Sequence, residues 1–289
     1  MSAPSAFAAD WLSLREPIDH RSRAVALDQA LTDWLARRDR QRGRLRVLDL
    51  GSGAGSNLRY LAPRLKGPQH WTLVDHDAGL LKRARETDRG ALDLRLTTHL
   101  ADLNRIDDAA PSSPDLVTAS AWLDLVSADW IERFVERAEE WSVPVLIALS
   151  VDGRRGFVDP DGRVRDRADD QLMREAFNEH QRQPKGLGVS PALGPDAAHV
   201  LAERLAGAFV VTTQASDWLL PAGSNEARTL GIELLDGWAA SASEARAEAL
   251  TAATGAWHKD RSKQIVAGGL GIYVGHQDLL ALPKGSVLR

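Results

Sequence analysis

The chain has 289 residues, of which 44% are hydrophobic and 26% are charged, so it can bury a sizeable core as one large domain with insertions or as two small domains. Its 36 basic and 40 acidic residues leave a formal charge of −4, which argues against a dedicated nucleic-acid binder because such a fold normally carries a basic excess. There is no cysteine, which excludes disulfides, thiolate nucleophiles, zinc–thiolate sites and iron–sulfur clusters.

Two features of the sequence bear on location. The N-terminal stretch has no basic start and contains Asp10 and Arg15, which distinguishes it from a secretory signal peptide. The longest apolar stretch, around Val143–Val151, is far shorter than the roughly 20 residues that a membrane helix needs. We therefore expect a soluble, cytoplasmic protein with no membrane partner.

The N-terminal region is expected to be helical. Apolar residues from Val25 to Leu35 recur at spacings near three and four, which places them on one face of a helix. An arginine-rich run follows at Arg37–Arg46. We interpret this run as a solvated helix end, where positive charge suits the helix dipole, with phosphate binding as the alternative.

From Leu45 onward, strand patterns alternate with helix patterns. Alternating strands and helices are typical of an α/β fold whose parallel sheet is covered by helices on both faces. The last of the first five strands is almost continuously apolar, as expected of a strand buried on both faces. These five strands are predicted at Arg46–Leu50, Trp71–Val74, Leu94–Leu100, Asp115–Ala119 and Val143–Ser150.

The second half of the chain is less regular. A turn signal at Asp159–Gly162, Asp-Pro-Asp-Gly, predicts a hairpin over Gly156–Val164. The segment Pro184–Pro195 contains three glycines and three prolines, too many for a regular element. The other elements expected here are helices at Ala168–Gln183, Pro195–Leu205, Asn225–Trp238 and Ala240–Ala256, and strands at Phe209–Thr213 and Leu270–Val274.

The most informative segment is Arg46–Asn57, where a strand runs into three alternating glycines and then a helix. Such a turn lets the backbone approach a ligand at a helix N-terminus. A nucleotide P-loop is excluded because no lysine follows the glycines. A dinucleotide turn is disfavoured, because the third glycine comes one place early at Gly55 and Asp49 would face a pyrophosphate.

An acidic residue followed by Gly-x-Gly-x-Gly resembles the first motif of class I S-adenosylmethionine-dependent methyltransferases. The cationic head of S-adenosylmethionine would favour Asp49, and this molecule has no phosphate. The resemblance covers roughly Leu45–Ser150 by motif and more loosely the rest of the chain. It implies S-adenosylmethionine as cofactor and a doubly wound, Rossmann-like, seven-stranded sheet with N-terminal helices and helical and hairpin insertions.

Acidic residues also follow the second and third strands. Asp75 lies 24 residues after Gly51, where the family places a carboxylate that accepts hydrogen bonds from the ribose hydroxyls. Asp102 lies where family members bind adenine; as alternatives, Asp75 could cap a helix and Asp102 a turn. The residues that the resemblance assigns to the cofactor are Asp49, Gly51, Ser52, Gly53, Gly55, Asn57, Asp75, His76, Asp102, Leu103, Ser120 and Trp122.

The fourth strand leads into Ser120, Trp122 and Asp124, and the resemblance places this strand end beside the transferable methyl group. Trp122 is expected to stack on adenine or wall the methyl site, with a core position as the alternative. Asp124 is a candidate catalytic contact to the substrate. The Asn-Pro-Pro-Tyr/Phe type motif of many amino-directed methyltransferases is absent, and the cysteine-dependent cytosine mechanism is excluded.

Substrate contacts are expected from the N-terminal helices and from the segment after the fifth strand. His180 is the candidate general base, because imidazole accepts a proton near neutral pH; a surface histidine is the alternative. Trp218 is a further cavity candidate, whereas His276 and His258 are expected to be peripheral, and no metal site is inferred. The candidate substrate-binding residues are Trp11, Arg15, His20 and Lys185.

These observations predict an N-terminal helical cap over residues 1–44 and a Rossmann-like methyltransferase domain over 45–289, with insertions at about 152–194 and 222–264. The first insertion is interpreted as a mobile cover or as a rigid extension. The predicted activity is methyl transfer by in-line displacement to an oxygen or nitrogen, less often carbon, of a small molecule. A homodimer is compatible with the sequence, and nucleic acid is not expected as a partner.

Three alternatives remain open at this point. The first is an RNA or protein methyltransferase that docks its substrate on the arginine run Arg37–Arg46. The second is a non-catalytic protein that binds S-adenosylmethionine or another protein. The third, disfavoured by the glycine spacing, is a nicotinamide-dependent oxidoreductase.

Overall fold

The computed structural model of the protein describes residues 9–37, 43–87, 90, 92–106, 113–184, 186–245 and 247–285. Two helices precede the first strand: α1 (Ala9–Ser22) and α2 (Val25–Leu35). Strands and helices then alternate, as the apolar pattern predicts. This part comprises β1 (Leu45–Leu50), α3 (Ser56–Leu61), β2 (Gln69–Asp75), α4 (Ala78–Arg85), β3 (Leu94–Leu100), β4 (Leu116–Ser120), α5 (Ala128–Trp141) and β5 (Val145–Val158).

The second half adds a short hairpin strand, four helices and three strands. These elements are β6 (Val164–Arg165), α6 (Ala168–Gln181), α7 (Ala197–Leu205), β7 (Phe209–Ala215), β8 (Trp218–Leu220), α8 (Asn225–Ala245), α9 (Ala247–Val266) and β9 (Gly271–Pro283). β6 pairs with the end of β5 around the predicted Asp-Pro-Asp-Gly turn, which confirms that hairpin.

The strands form one sheet in the order β3-β2-β1-β4-β5-β9-β7, with β6 on β5 and β8 on β9. β1 to β5 are parallel, and β9 runs antiparallel between β5 and β7. From β1 the chain first builds one half of the sheet and then returns to β4 on the other side, so the doubly wound α/β prediction is confirmed. The switch lies between β1 and β4, where ligands bind in such sheets at the carboxyl ends of the strands.

The sheet has nine strands rather than seven, and two strands are longer than predicted. β5 continues past Ser150 to Val158, with irregularities in its pairing with β9 between Ile147 and Ser150 and between Val151 and Arg155, and β9 runs on from Val274 to Pro283. Polar residues within each strand interrupt the apolar pattern, yet several keep a partner in the neighbouring strand: Arg155 pairs with Val274, His276 with Val151, and Gln277 with Ser150. Register against a neighbouring strand, rather than local periodicity, determines these ends.

Apolar residues pack on both faces of the sheet. One cluster includes Leu50 and Phe134 beneath α5 and α7, and another includes Leu31 and Trp71 beneath α2 and α3. A further cluster lies beneath α1, α6, α8 and α9, which we call the four-helix layer. It contains Trp218, the end of β5 at Phe157 and the beginning of β9 at Ile272 and Val274. No helix in the described ranges is long and apolar enough to cross a membrane.

Candidate functional site

A left-handed glycine turn follows β1 at the switch point of the sheet. Gly51, Gly53 and Gly55 have φ angles of +63°, +53° and +83°, in the left-handed region that side chains with a Cβ disfavour. A Cβ on Gly51 would also collide with the indole of Trp122. Gly55 is the residue before α3, so the turn presents its backbone at that helix N-terminus.

The carboxylate of Asp75 supports this turn from the end of β2. Its Oδ2 accepts a hydrogen bond from the Gly53 amide at 2.8 Å, and its Oδ1 accepts from the Asp77 amide at 2.9 Å. The helix-capping alternative for Asp75 is wrong, because Asp77 accepts from the first amides of α4. Each Asp75 oxygen keeps acceptor capacity for a further donor, as the predicted ribose contact requires.

Asp49 is the most strongly perturbed group near the turn. Its side chain is fully buried, and Oδ1 accepts from Asn57 Nδ2 at 2.9 Å, whereas Oδ2 has no hydrogen-bond partner. Burial raises the pKa of the carboxyl to about 7, with the Asp75 charge adding to the rise and Asn57 and Arg23 opposing it. A cationic ligand would supply the missing partner, so this site fits the ammonium group of S-adenosylmethionine.

Asn57 holds Asp49 in place from inside the fold. Its Nδ2 also lies 3.0 Å from Thr118 Oγ1, and its Oδ1 accepts from Arg23 Nη1 at 3.0 Å. All of its side-chain hydrogen-bonding partners are therefore protein groups. We infer that Asn57 orients the Asp49 carboxyl rather than contacting the cofactor; its assignment as a direct contact stays a prediction.

The predicted adenine residues lie at the next strand end, on the outer side of the turn. Asp102 is exposed, and its Oδ1 accepts from the Asn104 amide at 2.9 Å, so it caps a turn as the alternative proposed. Leu103 is buried and its carbonyl accepts from the Trp130 indole at 2.8 Å. His76 is exposed, with Nδ1 at 3.5 Å from Asp75 Oδ1. Their contact with adenine stays a prediction.

Trp122 joins the end of β4 to the glycine turn. Its side chain is 9% exposed, its indole N–H donates to the Leu50 carbonyl at 2.8 Å, and its ring packs edge-on to Trp130. The preceding Ala121 has a φ of +63°, which costs a residue with a Cβ about 1–2 kcal/mol. Trp122 therefore packs in the core, as its alternative proposed, and its contact with the cofactor stays a prediction, as does that of the half-buried Ser120.

Asp124 lies just after β4, in a short helical turn. Its Oδ2 accepts from Gln181 Nε2 of α6 at 3.1 Å. Burial raises the pKa of this carboxyl, while the charges of Arg155 and Arg15 oppose the rise. Gln181 also accepts from Arg155 Nη2 at 3.0 Å, so one amide joins the carboxyl to a buried guanidinium.

Polar side chains line the inner surface of the four-helix layer beside Asp124. Arg15 of α1 donates to Asp19 at 2.9 Å, and its guanidinium carbon lies 5.3 Å from the centre of the Trp218 ring. That ring lies 5.0 Å from the ring of His276. We call Arg15, Asp124, Arg155, Trp218 and His276 the buried polar cluster.

His276 is buried, which corrects the expectation that it is peripheral. Its Nδ1–H donates to the Val274 carbonyl at 3.0 Å, which leaves Nε2 as a hydrogen-bond acceptor. Burial lowers its pKa to about 3, and the nearby Arg15 and Arg155 charges lower it further. It is therefore neutral near pH 7. No local pattern marks it, because it lies in a polar stretch of β9.

The other candidate residues of the substrate side have contacts of their own. Trp11 packs on the apolar residues of the four-helix layer. His20 Nε2 lies 3.1 Å from the carbonyl and from the hydroxyl of Ser56, at the start of α3. His180 Nε2 lies 2.9 Å from Glu244 of α8, within the four-helix layer. Its role as general base stays a prediction, and Lys185 lies outside the described residues.

Comparison with known proteins agrees with this geometry. Residues 47–144 match a family described as a methyltransferase domain. A cyclopropane-fatty-acyl-phospholipid synthase-like protein from Lactobacillus casei ATCC 334 has the same fold: its structure aligns over 97% of this chain and 96% of its own, with a TM-score of 0.53 and 14% identity.

Two further solved structures align less closely. The cyclopropane synthase MmaA2 from Mycobacterium tuberculosis aligns over 95% of this chain and 94% of its own, with a TM-score of 0.48 and 16% identity. A phosphoethanolamine N-methyltransferase from Haemonchus contortus, solved with S-adenosyl-L-methionine, aligns over 89% of this chain and 52% of its own, with a TM-score of 0.37 and 14% identity. No curated protein matches the chain in sequence.

Proposed function

We propose that this chain, a class I S-adenosylmethionine-dependent methyltransferase by its domain and fold, methylates a nitrogen or oxygen, less often a carbon, of a small molecule. One juxtaposition carries the proposal. The unpartnered Asp49 oxygen and the glycine turn lie at the end of β1, and Asp124 follows β4, the strand beside β1. A cofactor site and a candidate acceptor site thus share one edge of the sheet.

Three features of the chain would hold the cofactor. The Asp49 carboxyl offers an acceptor to its ammonium group, Asp75 offers acceptors to the ribose hydroxyls, and the left-handed glycine turn leaves room for close backbone approach. When bound, S-adenosylmethionine supplies an electrophilic methyl group on a positively charged sulfur. His76, Asp102 and Leu103 are the proposed adenine contacts.

Asp124 would orient the acceptor and remove its proton. Burial raises the pKa of this carboxyl towards the range in which it can accept a proton from an N–H or O–H group. Gln181 fixes Oδ2 by donating to it, which leaves Oδ1 for the acceptor. The four-helix layer covers this side of the sheet, so the acceptor would be shielded from water and held close to the methyl donor.

The RNA or protein alternative relies on the arginine run as a docking surface. Residues 38–42 of that run lie outside the described residues. At its end, Arg44 lies 2.7 Å from Asp93 and Arg46 lies 3.0 Å from Asp115. These two cations are thus already paired, which favours the small-molecule reading.

A turnover assay tests the proposal. Purified protein would be incubated with S-adenosylmethionine and panels of small amines and hydroxyl compounds, RNA and protein, and S-adenosylhomocysteine formation would be measured. We expect product with a small molecule. Formation only with RNA or protein would contradict the acceptor class, and S-adenosylmethionine binding without product from any panel would support the non-catalytic alternative.

The variant Asp124→Asn tests the role of that carboxyl. We expect kcat to fall by about 10²–10⁴-fold, the usual contribution of a positioned acid or base. The affinity for S-adenosylhomocysteine should stay within about twofold, since Asp124 lies outside the cofactor contacts. Asp161→Asn, in the exposed hairpin turn after β5, is the matched control. An unchanged kcat in folded Asp124→Asn would show that Asp124 has no catalytic role.

A further inference from the structure

Arg155 differs from the other buried arginines of the described residues. Arg23, Arg155 and Arg261 are 5%, 4% and 2% exposed. Arg23 lies 3.2 Å from an Asp278 oxygen, and Arg261 pairs with Asp170. Among the described residues, the Arg155 side chain donates only to neutral amide oxygens, those of Asn178 at 3.3 Å and Gln181 at 3.0 Å.

The Arg155 guanidinium therefore forms no ion pair with any described carboxylate. Its Nε–H is buried without a partner, and the attracting carboxyls of Asp124 and Asp152 lie beyond ion-pair distance. Burial lowers the pKa of the guanidinium to about 9, so it still carries its charge near pH 7. A buried unpaired charge is strongly unfavourable, and an anion that pairs with it removes that penalty.

Two aromatic rings lie beside this charge, and the buried polar cluster contains a second unpartnered donor. The guanidinium carbon lies 3.6 Å from the centre of the Phe177 ring and 5.6 Å from that of Trp238. Within the same buried polar cluster, the Trp218 indole N–H is buried and has no acceptor. The Ser216 hydroxyl, beside His276 in the sheet, is likewise buried and unpartnered. Three buried donors of this region, Arg155 Nε, Trp218 Nε1 and Ser216 Oγ, thus have no acceptor among the described residues.

We propose that the methyl acceptor is a small organic anion whose carboxylate or phosphate group pairs with Arg155 and accepts from the Trp218 indole. This inference rests on the proposed function and specifies its substrate class. Gln181 links Arg155 to Asp124, so the anionic end would bind at β5 while the end to be methylated faces Asp124. The other arginine of the cluster, the half-buried Arg15, is already paired with Asp19.

A rival explanation is that Arg155 is structural and ties β5 to α6. Stability of the free protein separates the two explanations. A ligand-binding charge without a partner destabilises the free protein, so Arg155→Met should leave the melting temperature unchanged or raise it. Arg261→Met is the matched control. It leaves the buried Asp170 without its cationic partner, so it should lower the melting temperature. A drop for Arg155→Met as large as that for Arg261→Met would overturn the proposal.

Ligand binding is measured on protein loaded with S-adenosylhomocysteine. The probes are three pairs matched in shape: benzoate and benzamide, phenyl phosphate and phenol, succinate and succinamide. We expect an anionic member to raise the melting temperature and to bind at least tenfold more tightly than its neutral partner by calorimetry. Preference for the carboxylates or for phenyl phosphate identifies the anionic group.

Variants then locate the binding site. Arg155→Gln should abolish the anion preference and leave S-adenosylhomocysteine affinity unchanged. Arg154→Gln should retain both, because Arg154 is an exposed neighbour paired with Asp152 and Asp217. Intact S-adenosylhomocysteine binding without any anion preference overturns this inference alone. Failure of the wild-type protein to bind S-adenosylhomocysteine overturns the proposed function as well.

Discussion

Replacing Asp49 by Asn should stabilise the free protein and weaken its binding of the cofactor. The buried Asp49 carboxyl has a pKa of about 7, whereas an aspartate in an unfolded chain has about 3.9. At about 1.36 kcal/mol for each pH unit between these values, ionising Asp49 costs the folded protein about 4 kcal/mol.

The pH range of this effect follows from the raised pKa. Below about pH 3.9 the Asp49 carboxyl is neutral in both the folded and the unfolded protein, so its burial costs no ionisation energy. As the pH rises from about 3.9 to about 7, the unfolded chain ionises while the folded protein does not, and the free energy of unfolding falls. An asparagine does not titrate and can still accept from Asn57. We therefore expect Asp49→Asn to match the wild type near pH 4 and to exceed its free energy of unfolding by up to about 4 kcal/mol at pH 8.

Urea denaturation of both proteins between pH 4 and pH 8 measures this difference. Other buried carboxyls with raised pKa values, such as Asp19 and Asp28, change both proteins alike and cancel in the comparison. Cofactor affinity should move the opposite way, because a cation binds the ionised carboxyl: it should rise with pH up to about 7 in the wild type and stay flat and weaker in Asp49→Asn. An Asp49→Asn protein that is less stable than the wild type at pH 8 would refute the reasoning.

Three further changes test the turn and the insertion. Asp75→Ala should weaken S-adenosylmethionine binding by about 1.5–3 kcal/mol, and unchanged calorimetric affinity in the folded variant would remove Asp75 from the site. Gly53→Val should abolish cofactor binding, because its φ of +53° disfavours a side chain with a Cβ. The protein should stay folded, since a Cβ at this position meets only Leu12 at 3.8 Å. Native affinity for the cofactor would mean that the cofactor does not approach this glycine. Deleting residues 156–182 should prevent folding. The segment contains the end of β5, which pairs with β9, and α6, which contributes the buried Met173. A folded product that binds the cofactor within a few-fold of the parent affinity would favour the mobile cover instead.

Local patterns were sufficient to predict the first half of the sheet and the glycine turn. β1, β2 and β4 contain short apolar runs, β3 alternates apolar and polar residues, and the acidic residue and glycines of the turn lie close together in sequence. Asp75 could be assigned because it ends a strand. The hydrogen bond from the Gly53 amide to Asp75 could not be predicted, because it joins two turns that are separate in sequence.

The acceptor side was less predictable because distant segments build it. Arg155 lies in Val-Asp-Gly-Arg-Arg-Gly, which looks like an exposed loop, yet antiparallel pairing with β9 buries it against α6. His276 lies in a polar stretch of β9 and is buried only because Trp218 and α1 cover it. Arg15 and Asp124, by contrast, could be proposed from their positions beside predicted elements. The division into a cap over 1–44 and a domain over 45–289 stays a prediction.

Calorimetric titration with S-adenosylmethionine and with NADH at pH 8 tests the central claim most directly. The account predicts one S-adenosylmethionine site per chain, weaker binding in both Asp49→Asn and Asp75→Ala, and no binding of NADH. Binding of NADH in place of S-adenosylmethionine, or S-adenosylmethionine affinity that is unchanged in both folded variants, would contradict the assignment of the cofactor to the carboxyl edge of β1 and β2.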